Sequence, residues 1–249
     1  MTRSDWAYIS NDLVYVALFL YTISFIVYTY ETAFAVRAIK EDSAKTLDRT
    51  TTLKSNKIAT GLFVTSTIAL GLAVLSRGIS AERVPLGNMY EYSITGAFTF
   101  ALAYLIVGIK HDLRWLGLPI SVLILLILGT AITLLYRPSA PLVPALQSMW
   151  LVIHVSAAIL SGGVFLLSNT VAGTYLWLDR MERKGERTAF AKRLPSLDSL
   201  DLLSYRLVAF VFPLWTFAVI AGAIWAEAAW GRYWGWDPKE TWAFITWIL

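Results

Sequence analysis

No cysteine occurs among the 249 residues. A chain without a thiol forms no disulfide, passes no electrons through thiols and carries no thioether-linked group of its own. Histidine is almost as scarce: His111 and His154 are the only two, and the carboxylates are scattered, so a metal cage built from protein ligands is not expected. Charge is thin as well. Asp, Glu, Lys and Arg make up 15% of the chain, against roughly 25% in soluble globular domains. Phosphate-binding loops, dinucleotide-binding glycine patterns, protease pairs and deaminase zinc motifs are all missing. There is no internal repeat and no low-complexity tract. A formal charge of +4 does not point to nucleic acid, because the basic residues are sorted by loop rather than gathered into a stripe.

What is present is apolar and long. Hydrophobic residues make up 57% of the chain, and they are gathered into runs. The expected architecture is all-α, a transmembrane helix bundle with six complete spans and the start of a seventh. The spans are read at about Asp12–Tyr30, Ile58–Leu75, Tyr92–Ile109, Trp115–Leu135, Trp150–Leu178 and Ser204–Ala229. The final apolar stretch, Thr241–Leu249, is too short to cross a bilayer at about 1.5 Å rise per residue, so the natural chain is expected to continue. The first run imitates a signal peptide, with Arg3 before it and Ala33-Phe34-Ala35 after it. It is longer than the roughly 7–15 residues of such a segment, and Asp5 and Asp12 dilute the positive end, so it reads as a retained span.

Lysine and arginine then fix an orientation. Fifteen of the 21 basic residues fall in the connections after the first, third and fifth spans, including Arg37, Lys40, Lys45, Lys110, Arg114, Arg183, Lys184 and Lys192. The alternate set holds six: Arg3, Arg77, Arg83, Arg137, Arg232 and Lys239. The rich set faces the cytoplasm, which puts the N-terminus and the end of the sixth span on the outer side. The longest polar piece, about Asp179 to Tyr205, mixes both signs (Glu182, Arg183, Lys184, Glu186, Arg187) and reads as a solvated, partly helical connection.

On the outer side lies the most distinctive segment, Trp230-Gly-Arg-Tyr-Trp-Gly-Trp-Asp-Pro-Lys-Glu-Thr-Trp242. Trp230, Trp234, Trp236 and Trp242, with Tyr233, are too interrupted by Gly and Pro to form one ordinary helix. Interfacial aromatic belts account for scattered residues such as Trp6, Trp115 and Trp177, but poorly for this cluster. Flat indole faces at a bilayer surface suit a flat amphipathic ligand such as a porphyrin. The polar end has two readings of equal standing. Asp237, Pro238 and Glu240 have the form of a helix start, with Asp as N-cap and Pro at the first position. The same helix end favours an anion, such as a propionate, with Lys239 or Arg232 as its counter-ion.

His154 lies one turn inside the fifth span, four residues after Trp150 and on the same helix face. A histidine at that depth needs a partner, and an iron ligand and an interfacial hydrogen bond are equally open from position alone. The aromatic segment on the same membrane side tilts the reading toward ligand. Ala157, Ala158, Ser161, Gly162 and Gly163 follow, which permit close helix approach or leave room for a bulky guest. His111, in Lys110-His-Asp-Leu-Arg114, reads as a solvated loop residue. Pro85-Leu-Gly-Asn-Met-Tyr-Glu91 reads as a turn and a capped helix start.

These three motifs together carry a resemblance. The run Trp230–Trp247 resembles the WWD signature of haem-handling membrane proteins. Its full wording is similar to the CcsA/ResC branch, called CcsB in some bacteria, of the System II cytochrome c maturation machinery. Pro85–Glu91 and Leu146–Val155 agree in the same order. A WWD segment alone also fits the System I relatives CcmC and CcmF. The resemblance implies one membrane domain over residues 1–249, with an outer segment at 230–242. It implies a cytochrome c synthase subunit, not active alone, that pairs with a ResB-like partner. Haem b would be received from the cytoplasmic side and presented outside to the two thiols of an apocytochrome Cys-x-x-Cys-His motif. His154 matches the family's external histidine, an expected iron ligand. A second external histidine and a transmembrane histidine follow the aromatic segment in that family, and neither occurs here. The membrane would be the bacterial cytoplasmic membrane or a thylakoid. A haem or small-molecule transporter and an anchoring scaffold are the alternatives. The shortage of mid-membrane charge, with Glu31 and Glu227 near span ends, counts against an ion-coupled transporter.

Overall fold

The computed structural model describes residues 2–40, 49–140, 147–185, 188 and 190–249. Lys45, Leu146, Glu186 and Arg187, named above, lie outside the described residues. The described chain is helical throughout: α1 Arg3–Lys40, α2 Arg49–Ala81, α3 Met89–Lys110, α4 Gly117–Thr130, α5 Met149–Arg183, α6 Leu197–Trp230 and α7 Pro238–Ile248. Six stretches are long and apolar enough to cross a membrane: Arg3–Phe34, Asn56–Ala81, Met89–Lys110, Arg114–Leu135, Met149–Arg183 and Leu197–Trp230. The protein is an integral membrane protein.

The helices run past the apolar runs at most ends because capping, not hydropathy, stops them. Asn88 caps α3 by accepting from the Glu91 N–H, Ser148 caps α5 from Trp150, and Ser196 caps α6 from Ser199. The polar piece after the fifth span is accordingly shorter than Asp179–Tyr205. Between Arg183 and Leu197 the one regular element among the described residues is a 3₁₀ turn at Ala191–Arg193. The fourth span is not one uniform helix. It opens in a 3₁₀ turn at Arg114–Leu116 and closes in a π-helical turn at Ala131–Leu135.

Two antiparallel hairpins, α1–α2 and α5–α6, make the largest contacts, and α3 and α4 join them. Small and hydroxyl residues let the helices approach, as hydrocarbon supplies no hydrophobic drive between them. Ser10 and Ser24 of α1 donate to the carbonyls of Ala73 and Ala59 at 2.7 and 2.9 Å, and the Tyr21 and Thr67 hydroxyls meet at 2.9 Å. Gly163 resolves one question left open by the small residues of α5. A Cβ there would stand 2.9 Å from the Thr99 backbone, so Gly163 serves close packing on α3, while Gly162 faces open space.

Arg77 was placed among loop residues by the sequence. It lies inside α2 and is buried, because α2 continues to Ala81. Its Nε donates to Glu91 of α3 at 3.2 Å and its Nη2 to the Arg137 carbonyl at 2.5 Å. Arg83 donates to the same carboxylate at 2.8 Å and to the Ala140 carbonyl at 3.2 Å, and the Gly87 N–H completes the set at 2.8 Å. Pro85–Glu91 is thus a capped helix start and also the centre of a buried ionic brace. At the opposite end of the bundle, Glu31 of α1 is buried against Arg193 at 2.6 Å.

Glu91→Ala leaves buried Arg77 and half-buried Arg83 without their anion. Removing one partner of a buried pair typically costs about 3–5 kcal/mol. A lower melting temperature in detergent is expected, with Glu91→Asp milder than Glu91→Ala, and an unchanged melt for Glu91→Ala would show that the brace carries no weight.

Candidate functional site

The aromatic segment is built by two helix ends. Gly231 stops α6 in the left-handed conformation, φ 69°, and its N–H returns to the Glu227 carbonyl at 2.8 Å. Asp237 then starts α7. Its Oδ1 accepts from the Lys239 and Glu240 N–H groups, both at 2.9 Å, with Pro238 in the first turn. Glu240 reaches back and accepts from the Gly235 N–H at 2.7 Å and the Asp237 N–H at 3.3 Å. This is a reciprocal capping box, and it commits Asp237 and Glu240 to local structure. Arg232 joins it: its guanidinium donates to Glu240 at 3.3 Å, stands 3.9 Å from Asp237 and lies over the Trp230 ring. Lys239 is exposed and has no ion-pair partner among the described residues.

Between this segment and α6 lies a groove of about 460 Å³, lined by Thr216, Val219, Ile220, Trp234, Trp236, Phe244 and Trp247. That volume falls within the ~300–1,000 Å³ of small-ligand sites. Trp236 packs edge-on against both Trp234 and Phe244 at 5.6 Å. Trp247 donates its indole N–H to Thr216 at 3.0 Å, and its ring stacks on Phe212. Tyr233 and Trp242 are exposed, and no ring contact holds them among the described residues.

His154, on α5, packs against another face of α6. Its Nδ1 lies 2.8 Å from the Ala218 carbonyl. A carbonyl only accepts, so Nδ1 carries the proton and Nε2 keeps a free lone pair, with no partner among the described residues. The ring lies flat on α6 because residue 222 is glycine: a Cβ there would stand 2.7 Å from His154 Cε1 and Nδ1. Trp225 runs parallel to the imidazole, with ring centroids 6.1 Å apart and planes 9° apart. Trp225 in turn meets Trp230 edge-on at 4.8 Å.

Positions 218, 222 and 225 share one face of an α-helix, while 216, 219 and 220 centre on the other side. His154 therefore does not line the Trp234–Trp236 groove: α6 stands between them. Trp230 and Arg232 connect the two environments at the end of α6. Trp150 is 38% exposed and shares the α5 face of His154 without a ring contact among the described residues. Gly222, Ala218 and Trp225 were not singled out from the sequence. The signal available was the small-residue run Ala221-Gly222-Ala223 on the helix after His154, one turn before an isolated tryptophan. The indole N–H of Trp225 is buried with no acceptor among the described residues.

A membrane bundle carrying a doubly capped aromatic loop and a tautomer-fixed histidine defines the class. Residues 86–249 match the family described as Cytochrome C assembly protein. The chain is 32% identical over 232 residues to the cytochrome c biogenesis protein CcsA of Porphyra purpurea, covering 78% of this chain and 73% of that protein. It is 39% identical over 206 residues to CcsA of Guillardia theta, covering 75% and 66%. With CcsA of the cyanobacterium Prochlorococcus marinus it shares 35% over 214 residues, covering 76% and 68%. The chain belongs to the cytochrome c assembly protein family, and its role lies in cytochrome c biogenesis.

Glu240→Ala frees the Gly235 and Asp237 N–H groups and unties Arg232. A lost cap costs about 1 kcal/mol, roughly a fivefold rise in local opening. Hydrogen exchange should quicken at residues 235–241 and stay unchanged in α3. Unaltered exchange at Gly235 would mean that the capping box does not hold the loop.

Proposed function

We propose that this chain handles haem b as the cargo of cytochrome c biogenesis and presents it on the outer side of the membrane for attachment to an apocytochrome c. The observation that carries the reading is the bond from His154 Nδ1–H to the Ala218 carbonyl. It fixes the neutral tautomer that ligates haem iron through Nε2, and a partner on the second ring nitrogen raises the basicity of the first. The parallel indole of Trp225 limits rotation of the imidazole.

Because α6 separates His154 from the Trp234–Trp236 groove, this reading seats the macrocycle at the outer rim beside Trp230, where the two aromatic environments meet. Trp150, Trp230, Tyr233, Trp234, Trp236 and Trp242 then offer apolar surface around it. Arg232 is engaged by Glu240 and Asp237 and the first N–H groups of α7 by Asp237, so Lys239 is the better counter-charge for a propionate. Asp237 acts through the cap rather than on the ligand.

In the attachment step each thiol adds across one haem vinyl group. A carbon–sulfur bond forms, the vinyl double bond is consumed and the thiol hydrogen ends on the neighbouring carbon. The chain has no cysteine, so both thiols belong to the Cys-x-x-Cys-His motif of the apocytochrome. The protein's share is binding and orientation. A ResB-like membrane partner completes the synthase, and the basic connections face the cytoplasm.

His154→Ala should lower the haem retained by the purified membrane complex by roughly tenfold or more, while His111→Ala leaves it unchanged. Gly222→Ala, which pushes the imidazole off Ala218, should shift the Soret band and weaken retention with the helical content intact. Equal haem content in the His154→Ala and His111→Ala complexes would remove His154 from the site.

A further inference from the structure

A second groove, of about 560 Å³, opens at the other end of the bundle between α4 and α5. It is independent of the haem reading. The two helices scarcely touch, since α4 packs mainly on α1 and α3. Leu118 and Val122 on α4, and Gly173 and Trp177 on α5, wall it over successive turns. It therefore runs along the helix axes for about 10 Å, from the membrane face that carries the α3–α4 turn and the α5–α6 connection into the hydrocarbon. Phe190 and Leu194 of that connection close its mouth.

Its walls are almost wholly apolar. Thr170 and Thr174 line it, but their hydroxyls already donate to the Leu166 and Thr170 carbonyls at 2.7 and 2.9 Å. Gly173 leaves the wall open, because a Cβ there would meet nothing within 4 Å. Two polar features lie at the mouth. Trp115 holds its indole N–H buried with no acceptor among the described residues. Lys192, in the turn between Phe190 and Leu194, is exposed and free of ion pairs among the described residues. Two neighbouring cations are taken, Arg114 by Asp112 and Arg193 by Glu31.

We infer that this groove is a retained-lipid site that takes one acyl chain of an anionic glycerophospholipid from the adjacent leaflet. The chain lies along Leu118, Val122 and Gly173, Lys192 pairs with the phosphodiester, and a small turn of the Trp115 ring gives its N–H to a phosphate or ester oxygen. The Lys192 ammonium and the Trp115 N–H together match a single negative charge. They do not match the two carboxylates of a porphyrin, which would leave the second anion unpaired at an apolar wall. An acyl chain that fills the gap would also tie α4 to the α5–α6 hairpin, where protein contacts are sparse.

The test uses the full-length protein purified in mild detergent. It is incubated with mixed vesicles of phosphatidylglycerol and phosphatidylcholine, re-isolated, and its bound lipid counted by native mass spectrometry. One phosphatidylglycerol per chain is expected on the wild type. Gly173→Phe and, from the opposite wall, Val122→Trp should each lower that occupancy about tenfold without lowering the melting temperature before lipid is added. Lys192→Gln should keep a lipid but bind phosphatidylglycerol and phosphatidylcholine equally. The inference fails if the wild type retains no lipid, or if both wall variants retain as much as the wild type. It also fails if haemin displaces the lipid one for one, which would make the groove a porphyrin site, or if a second polypeptide occupies it.

Discussion

Around one hydrogen bond, from the His154 imidazole to the Ala218 carbonyl, the half of the α5–α6 seam nearest the aromatic loop is arranged. A helical carbonyl already accepts within its own helix but has a second lone pair, and hydrocarbon offers no water to satisfy either partner. The bond needs a helix surface with no side chain in the way, and Gly222 supplies it. It needs a ring that does not turn, and Trp225 flanks it. What is then left over is chemically specific: a neutral nitrogen with a free electron pair beside a membrane surface. The haem role proposed for this chain turns on that feature.

The buried Arg77–Glu91–Arg83 brace is the second fixed point. Its surplus donors hold the Arg137 and Ala140 carbonyls, so α2, α3 and the chain leaving α4 are tied at one membrane face. The α5–α6 hairpin is tied to the rest mainly through α3, at Gly163 and the Thr99 hydroxyl. Among the described residues, the buried carboxylates Glu91 and Glu31 each have their own arginine partners, two at Glu91 and one at Glu31. Neither forms the chain of free carboxylates that an ion-coupled transporter would need.

Six spans were legible from the sequence because hydrophobic runs of that length have no other stable use. Their ends were less so. Hydropathy stops counting where polar residues begin, whereas a helix stops where its last N–H or C=O finds a cap, and Arg77 went to a loop for that reason. Asp237-Pro238-x-Glu240 was readable as a helix start because every partner lies within four residues. The division of the aromatic residues between two faces of α6 was not readable. It depends on where the chain turns after Gly231, which is set by Arg232 lying across Gly235 toward Glu240, a contact with no sequence period. Gly222 and Trp225 escaped for the same reason, since their roles exist only once α5 lies against α6.

Trp236 holds its backbone at φ 57°, a region that a bulky residue enters at a cost of about 1–2 kcal/mol and glycine enters freely. The loop around it pins that conformation through the Glu240 bonds to its two neighbours and the Thr241 hydroxyl on its carbonyl. An indole kept where the main chain would prefer no side chain marks a position at which robustness and task pull in opposite directions. Laboratory evolution that rewards heat tolerance alone would drift there toward glycine, and the lineage that survived would have lost the ring.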